Sequence, residues 1–262
     1  ASMDADTCPL HMVSAWSSGN RMVLGQQAVD SKSNEIHAIP ALLKVLDLRG
    51  CIVTIDAMGC QRKIAREIVD ADADYVLALK GNQETVHEEV KSYMDDAVTR
   101  WTKAPASVPE LDCYETVEKD HGRIETRRFW QSDRVDWFAD RNQWEKLSGF
   151  GMVESTREIQ AVATTERRYY LLSIPRNARQ FAKASRGHWG VENSLHWVLD
   201  VVFKEDQSRA REGYAAQNLA TLRRLALNAL KREPGKRSMR LKVKRAGWNN
   251  DYLLSVLGIN PA

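Results

Sequence analysis

Apolar residues recur along this chain with two different periods. Two short runs, residues 10–16 and 22–29, flank the turn Ser17-Ser18-Gly19-Asn20 and predict an antiparallel hairpin. Over residues 34–46 the spacing becomes helical. Ile39, Leu42, Leu43 and Leu46 share one face, and Pro40 is expected to kink the first turns. Residues 51–56 then form a continuous apolar run that ends abruptly in Asp56. The turn Ala57-Met58-Gly59 follows, and a helix is predicted from Gln61 to Asp70. The pattern repeats in residues 75–80, the turn Gly81-Asn82-Gln83 and a helix to Asp96. Two strand–helix units in series predict neighbouring parallel strands joined by right-handed crossovers.

The period changes after residue 104. Pro105 and Pro109 punctuate a linker, and residues 112–129 alternate as a hairpin about Asp120-His121-Gly122. Residues 149–154 and 168–174 are further strand-like runs. Beyond them, Val191, Leu195, Val198 and Val202 make an apolar helical stripe, while His188, Glu192, His196 and Asp200 follow at four-residue steps. Glu192 is thereby expected at the border of the core face near Leu195, Leu199 and Phe203, where desolvation calls for a compensating cation or donor. Leu219, Leu222, Ala226 and Leu230 mark a long amphipathic helix with Arg223 and Arg224 on its other face. The pattern divides the chain into residues 1–104, a β-rich insertion at 105–176 and a helical part at 177–262.

Composition adds limits. With 262 residues, 43% hydrophobic and 28% charged, the chain has ample core for a globular protein. No apolar run approaches the roughly 20 residues that span a bilayer, and no signal-peptide pattern opens the chain. Cys8, Cys51, Cys60 and Cys113 form no CxxC pair, which argues against a zinc ribbon and fits reduced thiols in a cytoplasm. The net charge of +3 says little about partners, but its distribution says more. Residues 231–245 carry Lys231, Arg232, Lys236, Arg237, Arg240, Lys242, Lys244 and Arg245 against the single acid Glu233. That run is either a solvated tail or a phosphate-neutralising surface.

Asp56 is the first candidate for chemistry, because the C-terminal edge of a parallel sheet is where ligands and catalytic groups gather. The bland alternative is that it caps the next helix. Lys80 and Asn82 fall on the same edge. An Asp at a strand end with a distant Glu on a helix is the core of a two-metal carboxylate site, in which Mg²⁺ is held by a few carboxylates and waters. A competing reading makes His188, Glu192 and His196 a transition-metal chelate on one helix.

Four segments resemble the H-repeat-associated branch of bacterial insertion-sequence transposases: residues 55–61 (IDAMGCQ), 78–83 (ALKGNQ), 120–127 (DHGRIETR) and 188–193 (HWGVEN). The resemblance covers nearly the whole chain. It implies an α/β, ribonuclease H-like fold, a mixed sheet flanked by helices with a β-rich insertion before the catalytic Glu helix. It also implies an Asp-Asp-Glu site that cuts and joins DNA with Mg²⁺ or Mn²⁺, in which Asp56 matches the second Asp and Glu192 the Glu. The family's first Asp lies on a strand upstream of the segment matching residues 10–16, so this chain is expected to lack it. Asp4 and Asp6 are the only acids before that segment. Sister families place a Tyr, an Arg and a Lys where this chain has Ser185, His188 and Leu199, which leaves His188 or Arg186 for phosphate work. The DNA-contacting set is expected to be Lys80, Asn82, His121, Arg123, Arg127, Arg186, His188, Arg223, Arg224, Lys242, Lys244 and Arg245. The implied partner is double-stranded DNA, both transposon ends and target, in a bacterial cytoplasm at the nucleoid, and a homodimer is compatible. A transposase or an N-terminally truncated fragment of one is the leading reading. A catalytically inactive DNA-binding remnant is the alternative.

Overall fold

The structure, a computed structural model, describes residues 11–29, 35–120, 123–159, 162–210 and 212–259. Its contacts divide the chain into two compact units, Ala1–Leu46 with Gly187–Ala262, and Asp47–Arg186. Among the described residues no helix is long and apolar enough to cross a membrane.

The Asp47–Arg186 unit is an α/β layer built on a six-stranded mixed sheet. Strand β3 (Ile52–Ile55) and strand β4 (Asp74–Leu79) pair in parallel, joined by helix α2 (Arg62–Asp70), as the repeated strand–helix pattern predicts. Helix α3 (Glu84–Lys103) follows and runs past the expected end at Asp96. Four antiparallel strands complete the sheet: β5 (Leu111–Asp120), β6 (Arg123–Ser132), β7 (Gly149–Ile159) and β8 (Val162–Leu172). The order is β3-β4-β8-β7-β6-β5, with β4 and β8 antiparallel. The β-rich segment therefore extends the same sheet as the parallel pair.

Strands β7 and β8 are longer than their apolar runs suggest. Their distal halves, around Thr156, Glu158, Thr164 and Glu166, are polar on both faces, so hydrophobic alternation vanishes there. Backbone pairing from Gly149↔Leu172 to Ile159↔Val162 holds them instead. Cross-strand pairs help, with the Thr156 and Thr165 hydroxyls 3.0 Å apart and Arg167 donating to Glu154 at 2.9 Å. On one face of this sheet Val76, Phe129, Val153, Tyr170 and Leu172 are buried with Phe181 and Ala182 of helix α4 (Ala178–Val191).

In the other unit, β1 (His11–Ser17) and β2 (Met22–Val29) form the expected antiparallel hairpin, with a register shift between Ala15 and Trp16. Helix α1 (Glu35–Leu43) buries Ile39, Pro40, Leu42 and Leu43. The helical segment after Val191 is not α-helical. Glu192–His196 and Val198–Val202 are π-helical turns closed by i→i+5 bonds, Trp197 N–H to Glu192 O and Phe203 N–H to Val198 O. Leu195, Val198 and Leu199 still reach the core with Val23 and Leu227, and Val191 and Val202 pack against it. The predicted stripe is present on a wider helix.

Helix α5 (Ala215–Arg232) corrects the sequence reading. Its buried residues are Ala220, Arg224, Leu227 and Leu230, whereas Leu219 and Leu222 are exposed. The helix is apolar on several sides, and hydrogen bonds to the hairpin decide which side turns inward. Asn228 accepts from Val23 N–H at 2.9 Å and donates to Val23 O at 2.8 Å, filling the open edge of β2. The basic run is not a tail, since residues 239–257 fold as α6 (Met239–Trp248) and α7 (Asn250–Leu257).

The core of the sheet unit yields a stability test. Phe181 is fully buried, edge-to-face against Tyr170 at 5.2 Å, and a Cβ added at Gly151 would meet its Cζ at 2.7 Å. Urea unfolding should show Phe181→Ala losing about 3–5 kcal/mol and Gly151→Ala losing about 1–3 kcal/mol. The double variant should lose clearly less than their sum, because the missing ring makes room for the methyl. Simple additivity would show that the two positions do not share that space.

Candidate functional site

Asp56 sits where β3 ends. Its backbone is still extended, and its carboxylate caps the short 3₁₀ turn Ala57–Gly59 by accepting from Gly59 N–H at 3.4 Å. The capping role and an exposed strand-end carboxylate thus coexist in one residue, because a single long hydrogen bond leaves most of the acceptor capacity open. Among the described residues no Lys or Arg neutralises Asp56. The turn is secured from the neighbouring strand's loop, Gly81–Gln83. There the Asn82 side-chain amide donates to Ala57 O and that of Gln83 to Cys60 O at 3.1 Å. Parallel register sets this up, since Ile55 pairs with Leu77 and both strands end on the same side. Lys80, exposed at the end of β4, has no carboxylate partner among the described residues.

Glu192 opens the first wide turn. Its side chain is 62% exposed, so the expected place at the core border is corrected. It projects outward from the wide turn while Leu195 and Leu199 take the buried positions. One of its oxygens lies 3.4 Å from His196 Nδ1. Glu192, His196, Asp200, Asp206, Ser208 and Arg223 line part of an open cavity of about 450 Å³. Burial, then the charges of Asp206 and Glu205, raise the Asp200 carboxyl above the usual range. Across the cavity, Glu205 accepts from Arg224 at 2.8 Å, with Arg223 at 3.9 Å. Among the described residues no group of three His, Cys, Asp or Glu side chains is placed to hold a metal ion, so His188, Glu192 and His196 do not form a three-ligand chelate.

Residues 4–229 match the family described as Transposase DDE domain. The chain belongs to that family. It is 41% identical over 256 residues to "Putative transposase YncI" of Escherichia coli O157:H7, covering 95% of this chain and 63% of that protein. It is 39% identical over 254 residues to "H repeat-associated putative transposase YhhI" of Escherichia coli strain K12, covering 95% and 65%. The chain therefore spans somewhat less than two thirds of the length of these relatives. A cryo-EM structure of a piggyBac transposase synaptic complex with hairpin DNA is similar at 9% identity and a TM-score of 0.41, covering 97% of this chain and 52% of that one.

For a DDE-family chain, the basic side chains divide into occupied and open ones. Arg127 pairs with Glu118 at 2.8 Å and with Glu125, Arg186 with Glu118 at 2.6 Å, and Arg123 with Glu125 at 3.8 Å. Arg127 first, then Arg186, hold Glu118 below the ordinary carboxylate range. His188 is half-buried and edge-on to Trp189, and Arg245 lies 4.3 Å from the centre of the Tyr252 ring. Lys244 is exposed. His121 lies outside the described residues.

Two expected DNA contacts are corrected by burial. Arg224 is 7% exposed and donates to Ser14 Oγ, Glu205 and Ala220 O. Lys242 is 6% exposed and donates to Leu230 O at 3.1 Å and Glu233 O at 2.6 Å. Both cations are consumed by internal acceptors, and freeing either would strand a buried carbonyl or carboxylate.

Lys231 entered the sequence reading only as the first residue of the basic run. Its Nζ donates to Ser194 O at 2.9 Å and lies 4.2 Å from the centre of the Trp16 ring. Burial, with a smaller push from Arg21, lowers its ammonium to about 8. The available signal was the polar row Thr221, Arg224, Asn228 and Lys231, at helical spacing beside the apolar positions of α5.

Asp200 gives a pH test. Its folded value is raised, so the folded chain holds the proton more tightly than the unfolded one, and the stability tied to this group falls as pH rises through that value. Asp200→Asn should be more stable than the parent at pH 7, by less than about 1 kcal/mol because the site is partly exposed. In denaturant titrations the difference should shrink to nothing below about pH 4, the unfolded aspartate range. A constant difference across that range would mean that Asp200 is not strained by its acidic neighbours.

Proposed function

We propose that this chain is the catalytic portion of a DNA transposase that cuts and joins phosphodiesters, with Asp56 and Glu192 as two of the carboxylates that hold Mg²⁺ or Mn²⁺. The observation that carries the reading is Asp56: an exposed carboxylate at the end of a parallel strand, without a cationic neighbour among the described residues, in a chain of the DDE family. Glu192 supports the same reading, since among the described residues its one ionic neighbour is His196 in the same turn. Hard oxygen donors left open to water suit an ion that keeps several of its waters.

When bound, such ions would activate the attacking oxygen and stabilise the leaving oxygen of a phosphodiester. The protein's own part is placement. The hydrogen bonds from Asn82 and Gln83 keep the Asp56 turn from moving, and Lys80 adds a positive charge on the same sheet edge for a phosphate. Double-stranded DNA is the proposed substrate. Exposed Lys80, Lys236, Arg237, Arg240 and Lys244 are the phosphate contacts best placed by burial, ahead of the arginines already paired with Glu118 and Glu125.

Two measurements test this reading. In a protein extended to the length of its relatives, Asp56→Asn and Glu192→Gln should each cut Mg²⁺-dependent nicking of transposon-end DNA by about 10³-fold or more while leaving DNA binding intact. Unchanged nicking in either variant would remove that carboxylate from the site. Duplex binding by the present chain should weaken steeply with salt, with a log–log slope of about −0.9 per phosphate contacted. If binding proceeds without cutting in every extended form, the chain is a DNA-binding remnant.

A further inference from the structure

The wide helical turn that carries Glu192 needs an explanation of its own. A π-helical turn is less favourable than an α-turn, and it is kept where something outside the helix holds it. Here the outside contact is visible. Lys231 of α5 reaches the Ser194 carbonyl in the middle of the Glu192–His196 turn, at 2.9 Å. Its ammonium also lies 4.2 Å from the centre of the Trp16 ring of β1. Trp16 in turn packs on the cluster of Val23, Leu195, Val198, Leu199 and Leu227, which includes the inward side of the same wide turns. One side chain therefore ties the hairpin, α5 and the Glu192 turn together.

The arrangement is costly for a lysine. The side chain is half-buried, and Arg21 adds a like charge. A methionine would fill the same space without the desolvation. A cation kept under these conditions gains through its hydrogen bond to Ser194 O, inside the segment bearing Glu192, and through the Trp16 ring of the hairpin that packs on the same cluster.

We propose that Lys231 is a positioning residue for Glu192: seated on Trp16 and bonded to the Ser194 carbonyl, it fixes the π-helical turn from which that carboxylate projects. The inference rests on the reading of Glu192 as an ion-holding carboxylate. It assigns Lys231 no contact with substrate or metal.

The test uses Lys231→Met and Lys231→Arg, with Trp16→Leu as a milder variant that keeps the Ser194 bond. Amide hydrogen exchange over residues 192–203 is read first, at a denaturant concentration where global unfolding is matched. Lys231→Met should speed exchange there about tenfold, Trp16→Leu less, and Lys231→Arg should restore most of the protection. Exchange in the sheet unit should not change. In the extended protein, the Mg²⁺ concentration giving half-maximal nicking should rise about tenfold for Lys231→Met, with DNA affinity unchanged. If exchange over 192–203 matches the parent once global stability is matched, the clamp is ordinary packing and the proposal is overturned. If exchange responds as expected while Glu192→Gln still nicks normally, the role assigned to Glu192 fails instead, and with it the functional half of this inference.

Discussion

Strand β4 is the constraint on which the sheet unit depends. It is hydrogen-bonded on both edges, in parallel to β3 and antiparallel to β8, and Tyr75, Val76, Leu77 and Leu79 are buried. Because consecutive residues are buried, both faces of this strand are packed, and a slip by one residue would exchange the side chains that fill the two sides. Its register therefore fixes where β3 ends, and so where Asp56 stands. It also fixes the start of the Gly81–Gln83 loop, whose side-chain amides hold the Asp56 turn. The buried Ser173 hydroxyl, which accepts from Tyr75 N–H at 2.7 Å and donates to Asp74, locks the point where β4 begins.

The unit containing Glu192 is held by a different kind of interaction. Its two-stranded hairpin is too small to be stable alone, and α5 completes it with polar contacts. Thr221 meets Gln26, Arg224 meets Ser14, Asn228 meets both backbone groups of Val23, and Lys231 meets Trp16. These residues form one row along the helix, beside the apolar positions Ala220, Leu227 and Leu230. Polar groups near a core specify position more sharply than apolar ones, because each must find its partner or lose a hydrogen bond. The same row that orients α5 thereby reaches the Glu192 turn.

Charge is distributed on the same economy. The long β5–β8 strands are laced by Arg–Glu pairs such as Arg128 with Glu115 and Arg167 with Glu154. Such pairs align strands and leave little net field. Arg224 and Lys242 are spent inside the fold. Of the residues expected to contact DNA, Lys80 and Lys244 remain exposed. A count of basic residues therefore overstates the surface available to a polyanion.

The sequence by itself determined what local pattern can determine. The hairpin, the two strand–helix repeats and their parallel pairing follow from apolar period and turn chemistry within short windows. The strand-end position of Asp56 was legible for the same reason, as the abrupt polar end of an apolar run. The Glu192 stripe was legible too, since Leu195 and Val198 are buried on a π-helix as they would be on an α-helix. Only the tertiary structure decided the width of that helix, the outward turn of Glu192, the inward face of α5 and the burial of Arg224 and Lys242. The physical reason is distance along the chain. Asn228 and Val23 are 205 residues apart, and Arg224 and Ser14 are 210 apart. Amphipathic pattern ranks side chains by their affinity for water. It cannot say that a cation has a buried carboxylate, a carbonyl or an indole waiting for it, and those partners existed only once the chain had folded.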